Sequence, residues 1–236
     1  MRFSSYCYTN PGGRSPNEDS AGAFSNDRFS AWIAADGLGG HISGEIASAE
    51  AVKTLEEALN QCTALDEEFV SDAFKRMNEA VTALNGPLTT AVCAFSDGKQ
   101  LYYGNIGDSR FVFIRKKKVL HRTNDHSLAF IAYTSGSITY EEISTHPGQN
   151  RLYHSLGSEP DYSGEFYEPI TLQPGDAFIL MTDGFWELVS ESDLIRTRNL
   201  SHSAREWTEL LLESLEPRLV PTSDNYTAVS VMVMDD

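Results

Sequence analysis

The chain has little cysteine, little positive charge and no long apolar run. Its three cysteines, Cys7, Cys62 and Cys93, are odd in number and widely spaced, which predicts reduced packing residues rather than disulfides or zinc ligands. Lysine and arginine total 18 against 34 aspartates and glutamates, so nucleic acid and anionic lipid are not expected partners. No stretch approaches the roughly 18 apolar residues of a membrane span, and the amino terminus lacks a signal-peptide core. We therefore expect a soluble, cytoplasmic protein.

Neither an internal repeat nor a low-complexity linker interrupts the 236 residues, so one domain over 1–236 is expected. Three short strand-like segments open the chain, and apolar residues at helical spacing, from Ile46 to Leu59 and from Val70 to Leu84, then predict two helices. Residues 88–121 return to strand patterns. Turns at Asp97-Gly98, at Gly107-Asp108 and within the lysines 116–118 predict an antiparallel meander.

The long segment 125–160 loses the strand pattern, with a short helical piece predicted between Gly136 and Pro147. Such an excursion is usually functional. Two further strand regions, helices near 190–196 and 204–215, and a last strand in "NYTAVSVMVM" follow. The predicted class is α+β, mainly antiparallel.

Acidic residues stand at or near strand ends in five places. These are Asp19 (beside Glu18), Asp36, Asp108, Asp183 and Asp224. If they converge, their repulsion would raise pKa values or destabilise the fold unless cations neutralise them, and oxygen ligands suit Mg²⁺ or Mn²⁺. Two such ions, roughly 3.5–4 Å apart, would acidify a water into a nucleophile. Each aspartate alone is more simply explained as a turn cap, and sequence spacing shows no convergence, so both interpretations stay open.

Eight segments, taken in order, carry a resemblance to a known family. They are "RSPNED", "AADGLGGHISGEIAS", "LTTAV", "GNIGDSR", "NDHSL", "ITYEEISTHPGQNRLYHSLG", "LMTDGFWE" and "SDNYTAVSV". Together they resemble the PP2C-like, metal-dependent serine/threonine protein phosphatases, specifically the small bacterial members. The resemblance implies a four-layer sandwich of two antiparallel β-sheets flanked by pairs of α-helices. It also implies a flap segment over approximately residues 125–160.

The resemblance assigns roles to individual residues. Asp36 would bridge two metal ions, the Gly37 carbonyl would bind one of them, and Asp183 and Asp224 would complete the other. Further implied roles are metal-bound waters for Glu18 and Asp19, a weaker third metal for Asp108 and Glu187, phosphate binding for Arg14, and an accessory position for Asn225. Leu38 stands where some members carry a histidine proposed as general acid, and His41, three residues later, is a candidate accessory residue instead.

The implied reaction is hydrolysis of phosphoserine or phosphothreonine by direct attack of a water activated by two Mn²⁺ or Mg²⁺ ions. Phosphorylated proteins would be the substrates, a serine/threonine kinase would oppose the enzyme, and a monomer is expected. The alternative is a catalytically inactive, phosphatase-like module that binds a partner, which loss of the carboxylates would mark. All of the expected carboxylates are present in the sequence.

Overall fold

The computed structural model describes residues 1–38, 43–159 and 161–235. The strands are β1 (Arg2–Asn10), β2 (Asp19–Ser25), β3 (Ser30–Leu38), β4 (Leu88–Thr89), β5 (Ala91–Ser96), β6 (Gln100–Ile106), β7 (Arg110–Arg115), β8 (Lys118–Arg122), β9 (Glu165–Phe166), β10 (Ile170–Thr171), β11 (Ala177–Met181) and β12 (Tyr226–Met234). The α-helices are α1 (Gly44–Gln61), α2 (Glu67–Thr82), α3 (Leu128–Thr134), α4 (Asp183–Trp186), α5 (Glu191–Leu200) and α6 (Ala204–Leu215). Two short 3-10 turns cover Ile143–Thr145 and Glu216–Arg218.

The strands form two antiparallel sheets. One has the order β1-β12-β11-β7-β8, and the other has the order β10-β6-β5-β3-β2, with β4 beside β3 and β9 beside β6. Alternation along the strands divides the side chains between two faces. In β3, for example, Trp32 and Ala34 join the core between the sheets, whereas Ala31 and Ile33 face α1 and α2.

Helices cover both outer faces of the sheet pair. Val70, Phe74 and Met77 of α2 pack with α1 against the second sheet, and Trp207 and Leu211 of α6 pack with α5 against the first. The order of layers is therefore helices, sheet, sheet, helices, which confirms the expected α+β sandwich. No helix within the described ranges is both long and apolar enough to cross a membrane.

The predicted meander is wrong at the Gly107-Asp108 turn. β5 and β6 pair as expected, but β6 belongs to one sheet and β7 to the other, so the chain crosses between sheets here. Gly107 has φ +97°, and a Cβ atom there would lie 2.5 Å from Thr90 Cγ2. The crossing therefore requires glycine, for backbone conformation and for space.

The helix predicted between Gly136 and Pro147 is also misplaced. α3 ends before Gly136, and only the 3-10 turn Ile143–Thr145 lies within the predicted interval. The Ser127 side chain caps α3 by accepting a hydrogen bond from the Phe130 amide at 3.2 Å. A helix of seven residues shows too little periodicity to be found by spacing.

Candidate metal-binding active site

The topology brings the acidic strand ends to one end of the sheet pair. β11 and β12 are antiparallel neighbours, so Asp183, just after β11, lies beside Asp224, just before β12. In the other sheet, Asp19 and Asp36 are Cα partners on β2 and β3. Asp108 stands in the turn that crosses between the two sheets. The convergence that sequence spacing left open is therefore present.

Hydrogen bonds join the two sheets behind this cluster. Thr182 Oγ1 donates to Asp19 Oδ2 at 2.8 Å and accepts from the Thr227 amide at 3.0 Å. The other carboxylate oxygen of Asp19, Oδ1, is buried with no hydrogen-bond partner in the described structure. A buried carboxylate oxygen without a partner is costly, so this atom is suited to a cation or a cation-bound water.

Asp183 and Asp108 are also buried, and both accept bonds from the protein. Asp183 is the first residue of α4, and its Oδ1 accepts from the Gly184 amide at 2.6 Å. Trp186 Nε1 donates to the Asp108 backbone carbonyl at 3.0 Å, which fixes the crossing turn against α4. The Gln149 amide lies between the two carboxylates, 3.3 Å from Asp108 Oδ2 and 3.4 Å from Asp183 Oδ2.

Arg14 reaches the cleft from the loop after β1. Its guanidinium forms an ion pair with Asp224 Oδ2 at 2.7 Å, and about half of its side chain stays exposed, 52%. The loop lies close to the Asp224 loop because Gly13 N donates to Ser223 O at 2.8 Å. A Cβ atom on Gly12 would overlap the Asp224 carbonyl, so this approach depends on glycine.

Close backbone packing and hydrogen bonds fix the segments around the carboxylates, and they involve Gly37, Glu18 and Asn225. A Cβ atom on Gly37 would overlap the Gly44 carbonyl, so strand β3 and the start of α1 touch through bare backbone. Gly37 N donates to the Glu18 carbonyl at 3.1 Å. Asn225 Oδ1 accepts from Glu18 N at 2.8 Å, and Asn225 Nδ2 donates to the Pro11 carbonyl at 2.9 Å.

The cluster holds more negative charge than the protein neutralises. Burial raises the pKa of Asp36 well above its usual range, and the charges of Asp183, Asp19, Asp108 and Asp224 raise it further. Burial and the Asp183 charge likewise raise the pKa of Asp108 well above its usual range, and burial and the Asp224 charge raise the pKa of Asp183. Burial is also the main cause that raises the pKa of Asp19 to about 7.

Of the remaining predicted site residues, Glu187 lies beside the cluster without lining the cleft, and His41 falls in a range that the structure does not describe. Glu187 follows α4 with an exposed side chain, although partial burial and the charges of Asp183 and Asp224 raise its pKa to about 8. It is not among the described residues that line the cleft. His41 lies outside the described residues.

The cleft has a volume of about 510 Å³. Its walls come from the two sheets and from the flap segment, and the lining includes Arg14, Glu18, Asp36, Gly37, Asp108, Tyr153, His154, Asp183, Asp224 and Asn225. No three carboxylate, imidazole or thiol side chains in the described ranges are already arranged as a metal-binding group.

Sequence reasoning missed two polar residues of this site. Thr182 directly precedes Asp183 in "LMTDGFWE", so its place beside a predicted ligand was a usable signal. Gln149 gave no such signal, because it lies in a polar, aperiodic stretch of the flap segment.

The two-sheet sandwich with an acidic cleft at one end is the architecture that the sequence resemblance implies. The family model described as "Protein phosphatase 2C" matches residues 12–220. The chain therefore belongs to the protein phosphatase 2C family.

Known proteins agree with this membership. Serine/threonine phosphatase Stp of Listeria innocua is 32% identical over 194 residues, which cover 77% of each chain. The crystal structure of Stp1 from Staphylococcus aureus matches with TM-score 0.88 over 100% of this chain and 96% of that one, at 24% identity, and shows the shared fold. The catalytic domain of PstP, in complex with two manganese ions, matches with TM-score 0.79 and 26% identity over 99% of both chains.

Proposed function

We propose that the chain is a protein serine/threonine phosphatase that hydrolyses phosphoserine and phosphothreonine with the help of two divalent ions. The convergence of five aspartates at one end of the sheet pair, four of them lining one cleft with Arg14 beside them, is the observation that supports this function best. The family and the names of its relatives support the same reaction, and they do not favour the inactive alternative.

The donor set fits hard divalent ions. It consists of carboxylates and one backbone carbonyl, which are the ligands that Mg²⁺ and Mn²⁺ prefer. Asp36 would bridge two ions, the Gly37 carbonyl would bind one, and Asp183 and Asp224 would complete the other. Glu18 and Asp19 would act through bound waters, and Asp108 and Glu187 would serve a weaker third ion. When bound, such ions neutralise the carboxylates and make a water acidic enough to act as the nucleophile.

Arg14 would hold the phosphoryl group. A guanidinium donates two parallel hydrogen bonds to phosphate oxygens, and its fixed charge stabilises the charge on the transferring group. In the described structure the Nη2 atom of Arg14 pairs with Asp224 Oδ2, and the half-exposed guanidinium has further N–H donors that suit a phosphate. Asn225 would keep the Asp224 loop in place through its bonds to Glu18 N and Pro11 O.

Several properties stay predictions from the sequence. They are one domain over 1–236, the flap segment's influence on substrate choice, an opposing kinase, a monomeric state, a cytoplasmic location and an accessory role for His41.

The test is hydrolysis of a phosphothreonine peptide with Mn²⁺, with EDTA, and with the Asp36→Asn variant alongside. We expect phosphate release that requires both Mn²⁺ and Asp36. The absence of turnover with any divalent ion would contradict the proposal and would favour the partner-binding alternative.

A further inference from the structure

Gln149 connects the flap segment to the acidic cluster. Its side chain is buried, 4% exposed, and its amide nitrogen faces Asp108 Oδ2 at 3.3 Å and Asp183 Oδ2 at 3.4 Å. Among the described residues of the flap segment, it is the one whose side chain hydrogen-bonds to these predicted metal ligands. A neutral amide donor thus occupies the position between two like charges.

Both ends of the flap segment are fixed to the sandwich, and the middle of the segment is held mainly to itself. At its start, Asp125 forms a buried ion pair with Arg110, and the His126 amide and ring bond to Gly107. Near its other end, Leu156 exchanges two backbone hydrogen bonds with Thr89 of β4, at 2.8 and 3.3 Å. In the middle, the backbone near Gln149 bonds to the flap segment itself, since Ala129 N donates to Gly148 O at 3.2 Å. The Gln149 side chain therefore supplies a direct link from the middle of the flap segment to the carboxylates.

An ion and the Gln149 amide compete for the same oxygens. An ion shared by Asp108 Oδ2 and Asp183 Oδ2 would approach each to about 2.0–2.6 Å, depending on its size. The amide hydrogens now point at these oxygens, and a cation beside them would be repelled by the positive end of the amide dipole. Binding the ion therefore requires the amide to leave.

We propose that Gln149 is a positioning residue that tethers the flap segment to Asp108 and Asp183, and that a divalent ion at these two carboxylates releases the tether. This inference deepens the proposed function and rests on it for the identity of the competing ion. Because the coupling is reciprocal, the tether lowers the affinity of this ion, and the ion loosens the flap segment.

Hydrogen exchange of the flap backbone tests the tether. The reporter is the Ala129 amide, measured by mass spectrometry in wild type, Gln149→Leu and, as a matched control, Asn150→Leu, each with EDTA and with Mn²⁺. In wild type, we expect Mn²⁺ to speed exchange by roughly tenfold, a typical coupling between sites. In EDTA, Gln149→Leu should exchange about as fast as wild type does with Mn²⁺, and should no longer respond to Mn²⁺. Asn150→Leu should behave as wild type.

The outcomes separate the tether from the proposed function. If wild type binds no Mn²⁺ in calorimetry, the proposed function fails, while faster exchange of Gln149→Leu in EDTA still supports the tether. If Gln149→Leu exchanges like wild type in EDTA, the tether is wrong, whatever the metal does. Gln149→Glu is the second variant, because it removes the donor but adds a ligand. In EDTA, its Ala129 amide should exchange fast. Its weakest Mn²⁺ site should bind the ion roughly tenfold more tightly than the same site in wild type. Unchanged Mn²⁺ binding would also overturn the proposal.

Discussion

Two sets of buried aspartates in this protein have opposite surroundings. Asp125 receives two bonds from the Arg110 guanidinium, at 2.8 and 2.6 Å, and Asp176 receives two from Arg115, both at 2.7 Å. In the cleft, the charges that act on Asp36, Asp108 and Asp183 come mainly from other aspartates. The same residue type is therefore neutralised in one region and left in excess in another.

The difference shows how the chain separates structural from functional charge. A forked arginine matches a carboxylate and satisfies it within the protein. Asp193 belongs to the structural set: burial would raise its pKa, but hydrogen bonds from Ser190, Arg196 and Arg218 outweigh this and lower it to about 2. In the cleft the pKa values are raised instead, so the charge there is available to a cation from solution.

Replacing Asp36 should give the largest effect and should separate activity from stability. In Asp36→Asn we expect phosphopeptide hydrolysis to fall on the order of 10³-fold, because the variant lacks the carboxylate that we propose as the bridging ligand. The metal-free variant should nevertheless resist urea better than wild type, because one repelling charge is gone. If the variant were less stable than wild type in EDTA, the contrast between the cleft aspartates and the arginine-paired aspartates would be wrong.

Replacing Asp125 should lower the free energy of unfolding, whereas replacing Asp36 should raise it in the metal-free protein. Asp125→Ala leaves the Arg110 guanidinium buried without its partner, over the Trp186 ring at 3.4 Å. Removal of one partner of a buried pair costs about 3–5 kcal/mol. Urea unfolding in EDTA would measure this, and a cost below about 1 kcal/mol would show that the pair is not structural.

The metal-free protein should become less stable as pH rises, because aspartates of the cluster have raised pKa values in the folded state. The folded-state pKa of Asp19 is raised to about 7, and those of Asp36, Asp108 and Asp183 are raised as well. The folded protein thus holds more protons than the unfolded chain, so stability is greatest near pH 4 and falls as pH rises toward 7.

The fall should amount to about 2–4 kcal/mol in EDTA between pH 4.5 and 7.5. Urea unfolding at each pH would measure it. Asp36→Asn should flatten the slope, and saturating Mn²⁺ should remove it because the ions replace the protons. Stability that rises with pH in EDTA would contradict the assignment of excess charge to the cleft.

Replacing Arg14 should weaken catalysis without unfolding the protein. Its side chain is half exposed, so Arg14→Ala should change stability by less than about 1 kcal/mol. Hydrolysis of the phosphopeptide should fall roughly 10–100-fold, with Arg14→Lys recovering part of it as a point charge. Equal kcat/KM for Arg14→Ala and wild type would show that Arg14 does not contribute to catalysis.

Replacing Asp193 should give the smallest effect. Its bonds to Ser190 and to partly exposed arginines predict a loss of about 1 kcal/mol in Asp193→Asn at neutral pH. Because the folded pKa is depressed, this contribution is present above about pH 4 and disappears as pH falls toward 2. A cost independent of pH would show that Asp193 acts through packing alone.

Much of the fold could be predicted from the sequence because its signals are local. Helical spacing located α1, α2 and α6, and strand ends located the aspartates. The crossing at Gly107 could not be predicted, because the pattern of β7 does not say which sheet it joins. Gln149 was missed for a related reason: its partners, Asp108 and Asp183, are far away in sequence and no periodicity marks it.

The most direct test of the central claim is calorimetric titration of Mn²⁺ into wild type, Asp36→Asn and Asp193→Asn. If the cleft aspartates hold the ions and the arginine-paired ones only stabilise the fold, wild type and Asp193→Asn should bind Mn²⁺ alike, and Asp36→Asn should lose most of the binding. Equal binding by wild type and Asp36→Asn would contradict the account.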